Sequence, residues 1–248
     1  MSRLTTLLCC LGLAGCGSTP DPTSLPPPPT QASRAKGIDE PGDPARRAKF
    51  LAGNSAAEAR ALVATNNPAH LDAVAAFFAD AKKPYAERLE ALAALRGLRS
   101  QDAGEYARLF PRLKPKLWEE VSHADGLALS GDHEKGYVDA IGWLADQKDP
   151  AARLRMELHL DRETVKRKRL SDAALGATAL ALANYPGSES AGDTLWAALK
   201  DSKESNSVRA CCLKALKPFH PKDLETRIVQ LSAEPGDDWL RDLQRRLR

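Results

Sequence analysis

Apolar residues at helical spacing, cut into short runs by capping signals, constrain this chain more than any other feature. Leu71, Val74, Ala75 and Phe78 fall at i, i+3, i+4 and i+7, and Val208, Cys211, Cys212 and Ala215 repeat the pattern. Shorter stripes follow at Tyr85, Leu89 and Leu92, at Leu224, Ile228 and Leu231, and at Leu240, Leu243 and Leu247. Alanine and leucine are abundant, aromatics are 5% of the chain, and runs of β-branched residues are nearly absent. Such a composition favours helix and offers no strand pattern. The boundaries are readable as well. Asn67-Pro68 and Asp149-Pro150 each pair an N-cap with proline at the first helical position. Ser190-Ala191-Gly192-Asp193 fits a capping box. Asn184-Tyr185-Pro186-Gly187 and Pro218 read as stops. The expectation is an all-α body from about residue 45 to 248, with roughly ten or eleven short helices joined by tight turns. About 200 residues suffice for one sizeable core, and short helices of this kind pack as a bundle or stack as a solenoid.

The N-terminus is of another kind. Met1-Ser2-Arg3 is positively charged, and Leu4 to Ala14 is an apolar run of about 11 residues, too short to span a bilayer as a helix. It ends in Leu13-Ala14-Gly15-Cys16, which resembles the lipobox of bacterial lipoproteins. The resemblance implies a signal peptide over 1–15, cleavage before Cys16, a lipid on the Cys16 thiol and acylation of its new amino group. Each buried CH₂ contributes about 0.8 kcal/mol, and one chain alone holds weakly, so the two or three chains implied here supply the anchor. Gly17 follows the cysteine where an Asp would favour inner-membrane retention, and the resemblance therefore implies the outer membrane, periplasmic face. From Cys16 to about residue 44 prolines dominate, with Pro26 to Pro29 consecutive. A stretch this poor in apolar surface reads as a disordered tether, reaching about 30 Å as a coil and about 80 Å extended.

Three segments of the body share a junction. Ala79 to Pro84 leads into Arg88, Leu89, Leu92 and Leu95. Leu144 to Pro150 leads into Arg153, Leu154 and Leu158. Leu199 to Glu204 leads into Val208, Arg209, Leu213 and Leu216. Each has an apolar helix, an Asp, a polar turn and a second helix with an early Arg, a pattern that resembles the HEAT repeat. The resemblance implies helical hairpins stacked as a short solenoid. The second segment lacks the Val-Arg pair, the Asp80–Asp146–Asp201 spacing is uneven, and Leu113 to Leu129 shows no clear repeat.

Candidate sites are sparse. Cys9 and Cys10 leave with the signal, and Cys211-Cys212 are neighbours on one helix, where side chains diverge by about 100°. They read as buried small apolar residues, with an intermolecular disulfide as the alternative. His123, Asp125, Asp132, His133 and Glu134 bracket a polar loop whose imidazoles and carboxylates are of metal-ligating type, although their spacing matches no known site. Arg162, Lys166, Arg167, Lys168 and Arg169 form a basic cluster suited to anionic headgroups or an acidic partner. Arg241, Arg245, Arg246 and Arg248 crowd the C-terminus, where the helix dipole favours cations. Trp118, Trp143, Trp196 and Trp239 read as helix–helix contacts. The formal net charge of +3 falls to about +2 without Arg3, so nucleic acid is not an expected partner. The sequence contains no GxSxG, HExxH, P-loop or GxGxxG motif.

These features together lead to the expectation of a lipid-anchored, non-catalytic scaffold that binds another envelope protein and needs no cofactor. A fixed subunit of an envelope assembly is a variant of that reading. An envelope enzyme or regulatory subunit using the His123–Glu134 loop, with or without a metal, is the alternative.

Overall fold

The computed structural model describes residues 56–126, 131–161 and 170–247. The lipobox, Cys16, the proline-rich stretch and the basic cluster at 162–169 lie outside the described residues. Eleven α-helices and no strand occur among the described residues, so the fold class is all-α. These residues fall into two compact units, 56–116 and 117–247. The boundary lies inside one long helix, just after Pro115.

The first unit contains α1 (Ala56–Ala64), α2 (Pro68–Ala79), α3 (Tyr85–Gln101) and the first half of α4 (Ala103–Gly126). Both α1 and α2 pack on α3 and on each other. Leu62, Leu71, Val74, Phe78, Leu92, Leu95 and Leu98 fill the core and are fully buried. The predicted stripe Leu71/Val74/Ala75/Phe78 is therefore the inward face of α2. Pro111 and Pro115 lie within α4 without ending it. Both are exposed, while Tyr106, Leu109, Leu113, Leu117, Val121 and Ala124 keep one buried stripe along its length. The apolar period outweighs the two missing N–H donors.

The second unit continues with α5 (Gly131–Asp146), α6 (Pro150–Leu160), α7 (Asp172–Leu182), α8 (Glu189–Lys200), α9 (Asn206–Leu216), α10 (Leu224–Gln230) and α11 (Asp238–Leu247). Neighbours in sequence pack as hairpins: α5 with α6, α6 with α7, α8 with α9 and α10 with α11. Alternate helices also touch, α5 with α7 and α7 with α9 in one row, α6 with α8 in the other. The α7–α9 approach is close, and a Cβ added at Gly176 would lie 3.0 Å from the Cys211 sulfur. Cys212 is buried and Cys211 half-buried, and neither forms a disulfide among the described residues. A buried polar link crosses three helices: the Tyr137 hydroxyl lies 2.8 Å from His159 Nδ1 and 2.7 Å from Thr178 Oγ1. Trp143 is buried, Trp196 donates to His220, and Trp239 lies beneath the Arg209 guanidinium.

Two kinds of turn each occur twice among the described residues. In one, a residue in the left-handed region precedes an Asx cap and a proline. Asn66 (φ 51°) and Lys148 (φ 53°) take that conformation. Asn67 and Asp149 each accept a bond of 2.9 Å from the N–H two residues on. The second kind ends a helix on Asp and leads to a buried Arg. The Asp80 and Asp201 carboxylates each accept the N–H of a lysine two residues on, Lys82 and Lys203, at 2.9 Å. Arg88 and Arg209, each the fourth residue of its helix, donate from Nε to carbonyls ten residues back, Phe78 at 2.8 Å and Leu199 at 2.9 Å.

These turn geometries correct two sequence expectations. The Leu144–Pro150 junction is not the partner of the 79–84 and 199–204 turns; its geometry is that of Thr65–Pro68. Asp161 ends α6, where its N–H bonds Glu157. The fourth residue of α7 is Leu175, the place that Arg88 and Arg209 hold in α3 and α9. The cap also moves, and no capping box forms: Ser188, not Ser190, caps α8 by accepting from Ala191 N–H.

Polar contacts between neighbouring hairpins include offsets from 32 to 38 residues. Asn66 bonds Asp102 and Arg108 pairs with Asp72, each 36 residues apart. Tyr185 donates to the Asp149 carbonyl at an offset of 36, Arg153 to Ser188 at 35 and Ser207 to Asp172 at 35.

Candidate functional site

Helix α6 carries two apolar stripes, and only one of them is inside. Ala152, Met156, His159 and Leu160, at i, i+4, i+7 and i+8, are buried. Leu154 and Leu158, one turn apart, lie on another face and are 52% and 47% exposed. The sequence reading counted these two leucines among the apolar residues of a repeat's second helix. The competing stripe faces the core beside α7 and α8, and Leu154 and Leu158 stand about half exposed.

They open onto a groove of about 700 Å³ between α6 and α8. Leu154, Leu158 and Leu160 from α6 and Ala197 and Ala198 from α8 supply its apolar surface. Small residues on α8 leave the space that larger ones would fill. Around that surface stand Glu157, Asp161, Asp193 and Asp201. Among the described residues lining the groove, these four carry carboxylates. Asp161 and Asp201 are placed by the fold, since both cap helix C-termini. At one end α6 is clasped to the start of α8. Arg153 Nη1 lies 2.5 Å from Glu157 Oε1 and donates to Ser190 Oγ at 2.6 Å, while Ser190 donates to Glu157 at 2.9 Å. The clasp fixes the spacing of the two helices and engages Glu157, whereas Asp193 stands exposed on the α8 wall.

The groove therefore offers apolar area ringed by acceptors. Covering a leucine fully is worth about 1.5–3 kcal/mol, so two half-exposed ones leave roughly 2 kcal/mol to be gained by an occupant. The signal was present in sequence: two apolar stripes on an 11-residue helix cannot both face one core.

The other candidate residues fall as follows. His123 on α4 and His133 on α5 are brought together, their rings edge-to-face at 4.9 Å and their Nδ1 atoms 3.3 Å apart. Glu120, buried, reaches His123 Nδ1 at 3.4 Å. Asp132 pairs with Lys135 on the surface and does not join them. Among the described residues no group of three His, Cys, Asp or Glu side chains is arranged to hold a metal. Arg241 and Arg246 are engaged by Asp238 and Asp242 along α11. Among the described residues no helix is long and apolar enough to cross a membrane. No protein-family model, curated protein or solved structure matches the chain.

Proposed function

We propose that this chain is a lipid-anchored envelope protein whose helical body binds another envelope protein without catalysing a reaction. The α6–α8 groove carries the reading. Monomeric bodies rarely leave apolar surface contiguous and rimmed by polar groups unless something docks there. Helices that touch both their sequence neighbours and their next-but-one neighbours support HEAT-like hairpins stacked as a short solenoid in residues 117–247. Such a stack makes one long surface from short elements. Leu13-Ala14-Gly15-Cys16 supports lipidation at Cys16 and residence at the periplasmic face of the outer membrane. A tether to about residue 44 would raise the effective concentration of the body near membrane-bound partners. No cofactor and no nucleic acid enter this reading.

Site-specific photocrosslinking in living cells tests it. A photoreactive residue at position 158 is expected to give a discrete adduct with an envelope protein, and one at exposed Lys217 is not. Palmitate labelling that disappears in Cys16→Ser is expected alongside. No adduct at 158 would remove the binding-module reading, and unlabelled wild-type protein would remove the anchor.

A further inference from the structure

A second cleft, between α8 and α10, has about 360 Å³ of space and meets the α6–α8 groove only at Asp193. We propose that it binds a pyranose saccharide, an inference that goes beyond the binding-module reading and does not rest on it. The volume lies at the lower end of small-molecule sites, which run from about 300 to 1,000 Å³. Asp193, Trp196 and Lys200 line the cleft from α8 at i, i+3 and i+7, one face of that helix. Arg227, Gln230 and Leu231 line it from α10 at i, i+3 and i+4. The indole supplies a platform. Trp196 is half-buried and donates its Nε1–H to His220 Nε2 at 3.0 Å. The two rings are tilted by 50° with centroids 5.5 Å apart, so His220 holds the indole by its edge. With its one polar side-chain atom engaged, Trp196 offers the cleft carbon surface, and Leu231 adds to it. Around that surface stand hydrogen-bonding groups of both senses: Asp193 accepts, Lys200 and Arg227 donate, and Gln230 does both. All four are exposed, and Asp223 steadies Arg227 through its Nε. A pyranose ring has the complementary build. Its C–H face packs on the negative face of an aromatic ring, and its rim of hydroxyls both donates and accepts. A phosphate or a nucleotide fits less well. Lys200 and Arg227 lie in the last turns of α8 and α10, where they answer the negative ends of two helix dipoles, and Asp193 sets a carboxylate on the same wall.

The experiment titrates the purified full-length protein with chitotriose, cellotriose and maltotriose, and with sorbitol, AMP and inorganic phosphate as controls. Tryptophan emission and saturation-transfer NMR follow binding. At least one trisaccharide is expected to bind with a Kd of about 1 mM or tighter. Its ring C–H protons should receive the strongest transfer, and sorbitol, which has hydroxyls but no ring face, should not bind. Trp196→Ala is expected to weaken the trisaccharide by about tenfold. Asp193→Ala and Gln230→Ala, both at exposed positions, are each expected to weaken it by about threefold or more. These two surface substitutions keep the test independent of any effect of Trp196→Ala on folding. Failure of all three trisaccharides, or trisaccharide binding unchanged in the Asp193 and Gln230 variants, overturns the inference. Sorbitol binding as tightly as the sugars, or AMP or phosphate binding more tightly than they do, overturns it as well.

Discussion

The turns after α2 and after α8 are built alike, yet they use their arginine differently. In both, an Asp ends the first helix, accepts a lysine N–H two residues on, and is followed eight residues later by an Arg that bonds a carbonyl of the first helix. Arg88 then lies against the Phe78 and Tyr85 rings, at 5.8 and 5.7 Å. Arg209 stacks on Trp239 at 4.4 Å and meets Asp237 with both terminal nitrogens, at 2.9 and 2.7 Å. Asp237 also accepts the Leu240 N–H, so a single carboxylate closes the arginine and starts α11. The comparison teaches that the local turn is specified by three residues and that the cost of burying a guanidinium is met by whatever the next element provides.

Removing the shared arginine should separate the two sites. Arg209→Met leaves the Asp237 carboxylate buried without its counter-ion, and urea unfolding should report a loss of about 3–5 kcal/mol. The guanidinium hydrogen bonds hold the Asp237 carboxyl below the usual carboxylate range. A depressed acid stabilises the fold above its ordinary value near 3.8 and loses that contribution as pH falls through its lower folded value. The acid limb of the unfolding curve should therefore flatten in the variant. Arg88→Met removes a charged hydrogen bond and ring contacts, and a loss of about 1–3 kcal/mol is expected from amide exchange in α2 and α3. Equal losses at the two sites would contradict the comparison.

A smaller effect should come from His220, whose Nε2 accepts the Trp196 indole N–H at 3.0 Å. Burial, reinforced by Arg227, lowers its basicity below the ordinary value of 6.5. A base with a depressed folded pKa contributes stability that is present above 6.5 and lost as pH falls through the folded value. Trp196 emission should shift over the same acid range, and His220→Ala should abolish the shift.

The least effect concerns the left-handed turns. Lys148→Gly relieves a conformation that costs an L-residue about 1 kcal/mol, and the melting temperature should rise. Asn66→Gly gains the same relief but loses the bond to Asp102, so the net change should be nearer zero.

Much of this fold is legible in the chain because each decision is local. Asn67-Pro68 and Asp149-Pro150 start helices where their chemistry says, and Leu240, Leu243 and Leu247 face inward as their spacing requires. The phase of the hairpins is not legible from those signals. Leu175 occupies the position that Arg88 and Arg209 hold elsewhere, and an Asp-polar-Pro string occurs at both kinds of turn. The groove was hidden for a related reason. Apolar spacing marks Leu154 and Leu158 as firmly as it marks Met156 and Leu160, and only the placement of α7 and α8 decides between the stripes. His123 and His133 were legible as residue types, whereas their meeting depends on how α4 and α5 pack.

Everything functional turns on those two leucines being exposed surface. Equilibrium urea unfolding of the double variant Leu154→Ser/Leu158→Ser measures this directly. Open positions predict a stability within about 0.5 kcal/mol of the wild type. A loss of about 4 kcal/mol or more, the size expected for core leucines, would show that the chain itself covers them and would contradict the account.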